Sequence, residues 1–378
     1  MAGGLLQLVA YGSQDIHLTG NPQITFFKVV YRRHTNFAVE AIEQTINGSV
    51  RSGNPKVSVT IVRNGDLLHK TYIALKNISG AKGNVGFDAI DYIEVEVGGQ
   101  VIDKHYGQWM KIWCDLTHGI DKKTMLNQML CNGHDCNCGG AQTNVNSIIP
   151  LQFWFCRNPG LALPLIALQY HEVKLNIKFC NLIPTPNEII EAEVWCDYIF
   201  LDTDERRRFA QVSHEYLIEQ VQFNNGVDAN ETGIQHKLRF NHPVKELIWT
   251  LPKGDNICCG NLSGHQEVCS ALLQLNGHDR FRKRNGFYFN TVQRYEHHTG
   301  TRAAGLACVD SGNIYMYSFA MSPEEHQPTG TCNFSRIDNA VLTLEFTNSS
   351  TNRSLQVWGV NYNVLRIMSG MGGLAYSN

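Results

Sequence analysis

The stretch "DYIEVEVGGQ", Asp91 to Gln100, alternates strictly between apolar and charged side chains before it reaches two glycines. Its apolar residues point to one face and its glutamates to the other, since successive side chains of a strand alternate. The same alternation occurs in "HEVKLNIKF" at 171–179 and in "AVLTLEF" at 340–346. It is typical of antiparallel strands that bury one face.

Between such strands lie turn sequences rich in Gly and Asn, such as "RNGD" and "NNGVD". Helical patterns are few and short, at about His105–His118, Lys122–Leu130 and Arg280–Tyr295. The segment "LDTDERRRFAQ" is typical of a short capped helix that links two units. Many short strands with few helices predict an all-β sandwich or barrel.

Three sets of features recur along the chain in the same order. In the first, Gly98, Gly107 and Trp109 have the same spacing as Gly277, Gly286 and Tyr288. Next, "IKF" ending at Phe179 is similar to "LEF" ending at Phe346, and "VWCDYIFL" from Val194 is similar to "VWGVNYNVL" from Val357. The order predicts two copies of one all-β unit, joined near residues 202–214.

The composition limits the function classes. The 378 residues are 43% hydrophobic and 17% charged, with a net charge of -2. These values favour a folded protein and argue against direct nucleic-acid binding, which calls for a basic face or tail. We find neither a basic, apolar leader nor a run of about eighteen apolar residues. The twelve cysteines are therefore expected to be reduced thiols.

The sequence lacks the common phosphate-loop, dinucleotide, zinc-protease and nucleophile-elbow motifs, so we predict no enzyme and no cofactor. The best metal candidate is "CNGHDCNCGG", which contains Cys131, His134, Cys136 and Cys138. Thiolates and an imidazole bind zinc, but the spacing is not a standard one and a second pair is missing. A loop with free thiols is the preferred interpretation. His297 and His298 in "YEHHTG" are predicted to lie in a solvated loop.

The aromatic residues allow two interpretations. They are Phe26, Phe27, Trp109, Trp113, Phe153, Trp154, Phe155, Trp195, Trp249 and Trp358. Exposed on loops, they would form platforms for sugars. Because most lie in apolar patterns, burial in the core is favoured.

The N-terminal region contains "NPQITFFKVVYRRHTNF", Asn21 to Phe37. We predict a strand over 24–31, followed by a basic exit at 32–34. Both faces of that strand are apolar apart from Lys28, so both need covering. The predicted interface residues are Phe26, Phe27, Arg32, Arg33 and His34. The alternative is a central strand with a charged end.

Five blocks carry a resemblance to a known family. They are "MAGGLLQLVAYGSQDIHLTGNPQITFFKVVYRRHTNFAVE", "LPLIALQYHEVKLNI", "HPVKELIWTLPKGD", "QPTGTCNFSRIDNA" and "NYNVLRIMSGMGGLAYSN". In order and from end to end, the chain resembles the major capsid proteins of nucleocytoplasmic large DNA viruses, above all those of chloroviruses and their relatives.

The resemblance implies a non-enzymatic double jelly roll, two eight-stranded sandwiches in tandem. It implies a homotrimeric, pseudo-hexagonal capsomer in the icosahedral outer shell of a virion assembled in the host cytoplasm. The implied partners are other copies, neighbouring capsomers, minor capsid proteins and an internal membrane, with glycans as a further option on outer loops. The strand over 24–31 would then be the first of jelly roll one.

The expected division is an arm over 1–22, a first jelly roll over 23–203, a linker over 204–214 and a second jelly roll over 215–378. The chain is shorter than expected for a shell protein of the chlorovirus type. This leaves open whether it is the principal shell protein or a minor paralogue. Two rivals share the fold class: a carbohydrate-binding jelly roll and a cupin-like metalloenzyme.

Overall fold

The computed structural model describes residues 3–10, 12–48, 50–51, 56–78, 86–130, 145–180, 189–229, 231–252, 268–300, 313–348 and 353–377. The chain divides into two compact units, Met1–Asn36 and Phe37–Asn378. Within the described ranges, no helix combines the length and apolar character needed to cross a bilayer.

The first unit contains two short helices, α1 (Gly3–Val9) and α2 (Ile16–Thr19). The strand predicted over 24–31 is wrong, because residues 21–36 form neither helix nor strand and their side chains are exposed. A strand with two apolar faces needs neighbours that pair with it and cover it, and this segment has none in its own unit. The first strand begins later, at Phe37. The boundary proposed after residue 22 stays a prediction.

In the part of the first half that the structure describes, the second unit has eleven strands. They are β1 (Phe37–Gln44), β2 (Ile46–Asn47), β3 (Val50–Arg51), β4 (Lys56–Thr60), β5 (Leu67–Ile78), β6 (Ile90–Val97), β7 (Gln100–Tyr106), β8 (Val145–Pro150), β9 (Leu163–Pro164), β10 (Val173–Phe179) and β11 (Ile189–Leu201). One sheet has the order β1-β11-β5-β8, with β3 also paired to β11 and β9 also paired to β5, and the other has the order β2-β4-β10-β6-β7.

The described segments of the second half contain eleven more strands. They are β12 (His214–Asp228), β13 (Gly233–Leu238), β14 (Pro243–Thr250), β15 (Val268–Leu275), β16 (His278–Asp279), β17 (Arg284–Asn285), β18 (Ile314–Ser318), β19 (Cys332–Asn333), β20 (Ala340–Phe346), β21 (Ser354–Met368) and β22 (Met371–Leu374). Their sheets have the orders β12-β21-β14-β18 and β13-β20-β15-β16.

The two halves therefore repeat one strand order, which is that of a jelly roll. β1, β11, β5 and β8 correspond to β12, β21, β14 and β18, while β4, β10 and β6 correspond to β13, β20 and β15. The three strands predicted from alternation are confirmed as β6, β10 and β20, and in each the apolar residues are the buried ones. Each half encloses an apolar core between its two sheets, and Ile218, Leu365 and Ile367 of the second half join the core of the first. The predicted double jelly roll is confirmed.

The glycine repeat has a structural cause in both halves. Gly98 and Gly277 occupy left-handed backbone conformations, with φ of 57° and 81°, in the turns after β6 and β15. Such values favour glycine. A Cβ on Gly107 would lie 2.3 Å from the Ile90 carbonyl oxygen, and one on Gly286 would lie 2.0 Å from that of Val268. The chain thus crosses the start of the preceding long strand too closely for any side chain.

The remaining helices lie between strands. They are α3 (Gly107–Thr117), α4 (Ile120–Leu130), α5 (Trp154–Arg157), α6 (Thr203–Gln211), a π-helical segment (Tyr288–Val292) continuing into α7 (Gln293–His297), and three 3-10 turns (Phe87–Ala89, Pro159–Leu161 and Phe334–Arg336). The linker helix α6 is confirmed, and Asp202 caps it by accepting a hydrogen bond from the Thr203 amide. The helix predicted from Arg280 begins later, since two short strands precede it.

Candidate assembly interfaces

Helix α3 of the first jelly roll packs on the second jelly roll through aromatic side chains. Trp109 and Trp113 lie 5.8 Å apart, and Trp109 lies 5.7 Å from Trp358 of β21, measured between ring centroids. Ile248 of β14 and Met316 of β18 belong to the same buried cluster. The sheet β12-β21-β14-β18 of the second jelly roll is therefore covered on one face by its own core and, around Trp358, on the other face by α3. We call this contact the seam.

A buried carboxylate ties three helices together at the seam. Asp115 of α3 accepts from Lys123 Nζ of α4 at 2.6 Å and from Arg294 Nη1 of α7 at 3.1 Å. The side chains of Asp115 and Lys123 are fully buried. Since charges that leave water require close partners, the pairing fixes α7 of the second jelly roll against α3 of the first.

A second ionic group joins β12 to the first jelly roll. Glu219 accepts from Arg157 Nη1 of α5 and from Lys245 Nζ of β14, each at 2.7 Å. Burial alone would raise the pKa of Glu219, but Lys245 and Arg157 outweigh it and hold that pKa below its ordinary value. Arg157 also stacks on the Trp113 ring at 4.2 Å.

The prediction that His298 lies in a solvated loop is wrong. Its side chain is buried, with Nε2 2.9 Å from Glu246 Oε2 and Nδ1 2.8 Å from Glu324 Oε1. Burial opposes the charged imidazolium, but the two carboxylates outweigh it and raise the pKa of His298 to about 9. His297, its neighbour, is half-buried.

These buried ionic groups could hardly be predicted from local sequence patterns. The partners of His298 are 52 and 26 residues away in the chain, so no local spacing reveals them. One sequence signal was available, namely charged residues within an otherwise apolar strand. Lys245 and Glu246 interrupt the apolar pattern of β14, and both side chains are fully buried. A charge on a strand with two covered faces predicts a paired ion.

The predicted core aromatics are confirmed for the most part. Trp109, Trp113, Phe153, Trp154, Phe155, Trp249 and Trp358 are buried. Trp195 is half-buried. Phe26 and Phe27, by contrast, are 84% and 96% exposed. In the described segments, Cys114, Cys156, Cys180, Cys196, Cys269 and Cys332 form no disulfide.

The predicted site residues lie in two regions. Phe26, Phe27, Arg32, Arg33 and His34 all fall in the exposed segment of the unit Met1–Asn36 that has neither helix nor strand. Their interface role stays a prediction. Cys131, His134, Cys136 and Cys138 lie outside the described residues. Within the described ranges, no cluster of His, Cys, Asp and Glu has the arrangement of a metal site.

Family models match nearly the whole chain. Residues 25–202 match the model described as "Major capsid protein N-terminus", and residues 205–373 match "Large eukaryotic DNA virus major capsid protein". The chain is 51% identical to the major capsid protein of Pyramimonas orientalis virus and 43% identical to that of Paramecium bursaria Chlorella virus 1. Each comparison covers 100% of both chains. The second runs over 449 residues, more than the 378 of this chain, so that relative carries insertions.

Solved structures agree. PBCV-1 VP54, fitted into a reconstruction of the virophage Sputnik, superposes with a TM-score of 0.83 at 39% identity and covers 94% of this chain and 100% of that chain. The Faustovirus major capsid protein gives a TM-score of 0.71 at 12% identity, covering 95% and 94% of the two chains, and shows the shared fold alone. The family is structural and not enzymatic, so the cupin-like metalloenzyme is excluded. The chain belongs to the major capsid proteins of large eukaryotic DNA viruses.

Proposed function

We propose that three copies of this chain form a pseudo-hexagonal capsomer that tiles the outer shell of an icosahedral large DNA virus. One observation carries this proposal: two jelly rolls of the same strand order are fixed to each other by a buried seam. A chain built this way supplies two similar blocks in a set orientation. Three such chains in a ring supply six.

The seam explains why one chain can act as a rigid pair. It combines aromatic packing with buried ion pairs from α3, α5, α7, β12 and β14. Interfaces buried to this degree resemble a domain core and do not rearrange readily. A head-to-tail contact between such pairs closes into a ring when the rotation permits, and so avoids open filaments.

The N-terminal segment is proposed to order on its neighbours in the shell. Ile24, Phe26, Phe27, Val29 and Val30 are between 71% and 96% exposed. Contiguous apolar exposure on a soluble protein marks a contact surface. The candidate partners are adjacent capsomers, minor capsid proteins and the internal membrane beneath the shell, with Arg32, Arg33 and His34 at the exit.

Several finer statements belong to the same proposal. The protein would assemble in the host cytoplasm and make no direct contact with the genome, in keeping with its net charge of -2. The proposal includes glycans on outer loops. It covers both the role of principal shell protein and that of a minor paralogue. So is the division into arm 1–22, first jelly roll 23–203, linker 204–214 and second jelly roll 215–378.

Electron microscopy of the purified protein tests the capsomer directly. Two-dimensional averages are expected to show a six-lobed ring with three-fold symmetry. A two-lobed particle, with no ring at any concentration up to tens of micromolar, would refute the proposed capsomer. Copy number per shell, measured from purified particles, separates the principal from the minor role.

A further inference from the structure

The seam covers a definite face of the second jelly roll. On the sheet face turned away from its own core, Trp358 lies opposite Ile248 on one side and opposite Phe223 on the other. Trp358 is 1% exposed and Ile248 is fully buried, because α3 lies on top of them.

The first jelly roll carries an equivalent face, which the strand register identifies. In β11, Trp195 lies opposite Tyr72 on one side and opposite Glu43 on the other. Trp195 therefore takes the place of Trp358, as the aligned segments "VWCD" and "VWGV" require. Ile148, opposite Ala74, takes the place of Ile314, opposite Thr250.

The two equivalent faces differ in how far they are covered. Ile314 is 2% exposed but Ile148 is 41% exposed. Trp195 and Tyr72 are half-buried, and Glu43 is exposed. A recess of about 730 Å³ adjoins this face, and its lining includes Tyr72, Ile148, Met125 and Met129. Helix α4 contacts β8 beside this face, but Tyr72, Ile148 and Trp195 stay partly exposed there.

The second jelly roll has a helix equivalent to α3. The glycine repeat sets the offset at 179 residues, so Trp109 corresponds to Tyr288, Trp113 to Val292 and Leu116 to Tyr295. Met110 of α3 is buried in its own jelly roll, and so is the corresponding Phe289. The residues of α3 that cover the neighbouring sheet thus have counterparts on one side of the π-helix and α7.

Among the described residues, that side of the helix is only partly covered, since Tyr288 packs against the core of its own jelly roll and lies under the Arg284 guanidinium. Tyr295 is 87% exposed, Thr291 is exposed, and Tyr288 and Val292 are half-buried. Leu116, which corresponds to Tyr295, is 1% exposed within the seam. Within the described ranges, one sheet face and one helix face are therefore partly open, and they correspond to the two sides of the contact that the seam already makes.

Paired replacements match these two open faces to each other. In the seam, the ring of Phe223 lies 5.0 Å from that of Tyr106. The counterpart of Phe223 is Glu43, and the counterpart of Tyr106 is Asn285. The two aromatic residues of the seam thus correspond to two polar residues on the open faces. A carboxylate can accept a hydrogen bond from a side-chain amide. A reversible contact between chains tolerates more polar groups than a permanent one.

We propose that the helix face Tyr288–Tyr295 of one copy docks on the sheet face around Trp195 of the next copy, repeating the seam between chains. This inference rests on the proposed trimer and names the surfaces that hold it together. Each chain offers one helix face and one sheet face, so the contact runs head to tail. Alternating intrachain and interchain contacts of one geometry close a ring of six jelly rolls after three chains.

Two single substitutions test the contact from its two sides. Tyr295→Asp changes the helix face and Ile148→Asp changes the sheet face, and both side chains are exposed enough to spare the fold. Tyr170→Asp is the matched control, a tyrosine 74% exposed and outside both faces. Sedimentation over a dilution series gives the trimer dissociation midpoint, and thermal melting reports the fold of each variant. If Tyr295→Asp melts early, Tyr295→Ser takes its place.

The expected result is a rise of at least about thirtyfold in the dissociation midpoint for each face variant, as for an interface hot spot, with the control unchanged. A wild-type trimer whose face variants dissociate no more readily than the control would overturn this contact and leave the trimer standing. A wild-type protein that never trimerises would overturn the proposed capsomer, and this contact with it.

Discussion

At the residue scale, the stability of this protein depends on charges buried at the seam and within the second jelly roll. His298, Asp115 and Glu219 each lie between two partners of opposite charge. Removing charges from water costs several kcal/mol per ion unless such partners compensate. These groups make the folding stability of the protein sensitive to pH and to single substitutions.

The His298 group predicts a loss of stability at alkaline pH. Its pKa is raised from 6.5 to about 9, so its contribution is complete below about pH 6.5 and disappears as pH rises through 9. A shift of this size corresponds to about 3 kcal/mol. Urea unfolding at intervals from pH 6.5 to 9.5 measures the slope.

His298→Gln should be less stable than wild type at pH 6.5 and should lose most of the wild-type slope above it. His297→Gln, changed one residue earlier, should keep the slope. Equal slopes for wild type and His298→Gln would contradict the assignment.

Asp115→Asn should destabilise the protein by about 3–5 kcal/mol, because it deprives Lys123 and Arg294 of their shared carboxylate. The control is Glu215→Gln, which breaks the exposed pair between Glu215 and Arg366. That change should cost no more than about 1 kcal/mol. Urea midpoints at pH 7 compare the two, and similar losses would show that the buried group has no special weight.

At the element scale, Gly107 and Gly286 allow the starts of α3 and of the π-helical segment to lie close to the starts of β6 and β15. Gly107→Ala would place a Cβ 2.2 Å from the Phe87 carbonyl oxygen, so the start of α3 would have to move. We expect a loss of about 2–3 kcal/mol or more. Gly119→Ala, just before α4, meets nothing within 4 Å and serves as control. Melting temperatures decide, and an unchanged Gly107→Ala would refute the packing described.

The elements also show what sequence patterns reach. Alternation located β6, β10 and β20 because each has one buried face. The repeat predicted the equivalent strand orders because turn glycines and strand ends recur. The same reasoning failed over 24–31, where an apolar run predicts a strand but no other strand among the described residues of its unit pairs with it. It also missed the seam, since the partners of Trp358 and His298 lie far away in sequence.

At the scale of the whole molecule, residues 1–36 form a unit of their own. Deleting residues 1–20 is expected to leave the trimer and its melting temperature unchanged, since the strands begin at Phe37. The same deletion should lower the yield of shell-sized assemblies, because the segment would contact neighbouring capsomers. Sedimentation of assembled material measures this yield. Loss of the trimer, or a yield equal to wild type, would contradict this role.

The central claim is that two sandwiches per chain become six per capsomer, and the mass in solution tests it most directly. Light scattering at micromolar concentration should give three times the 42.5 kDa of one chain, 127.5 kDa. A stable mass of 42.5 kDa under the same conditions would contradict the account.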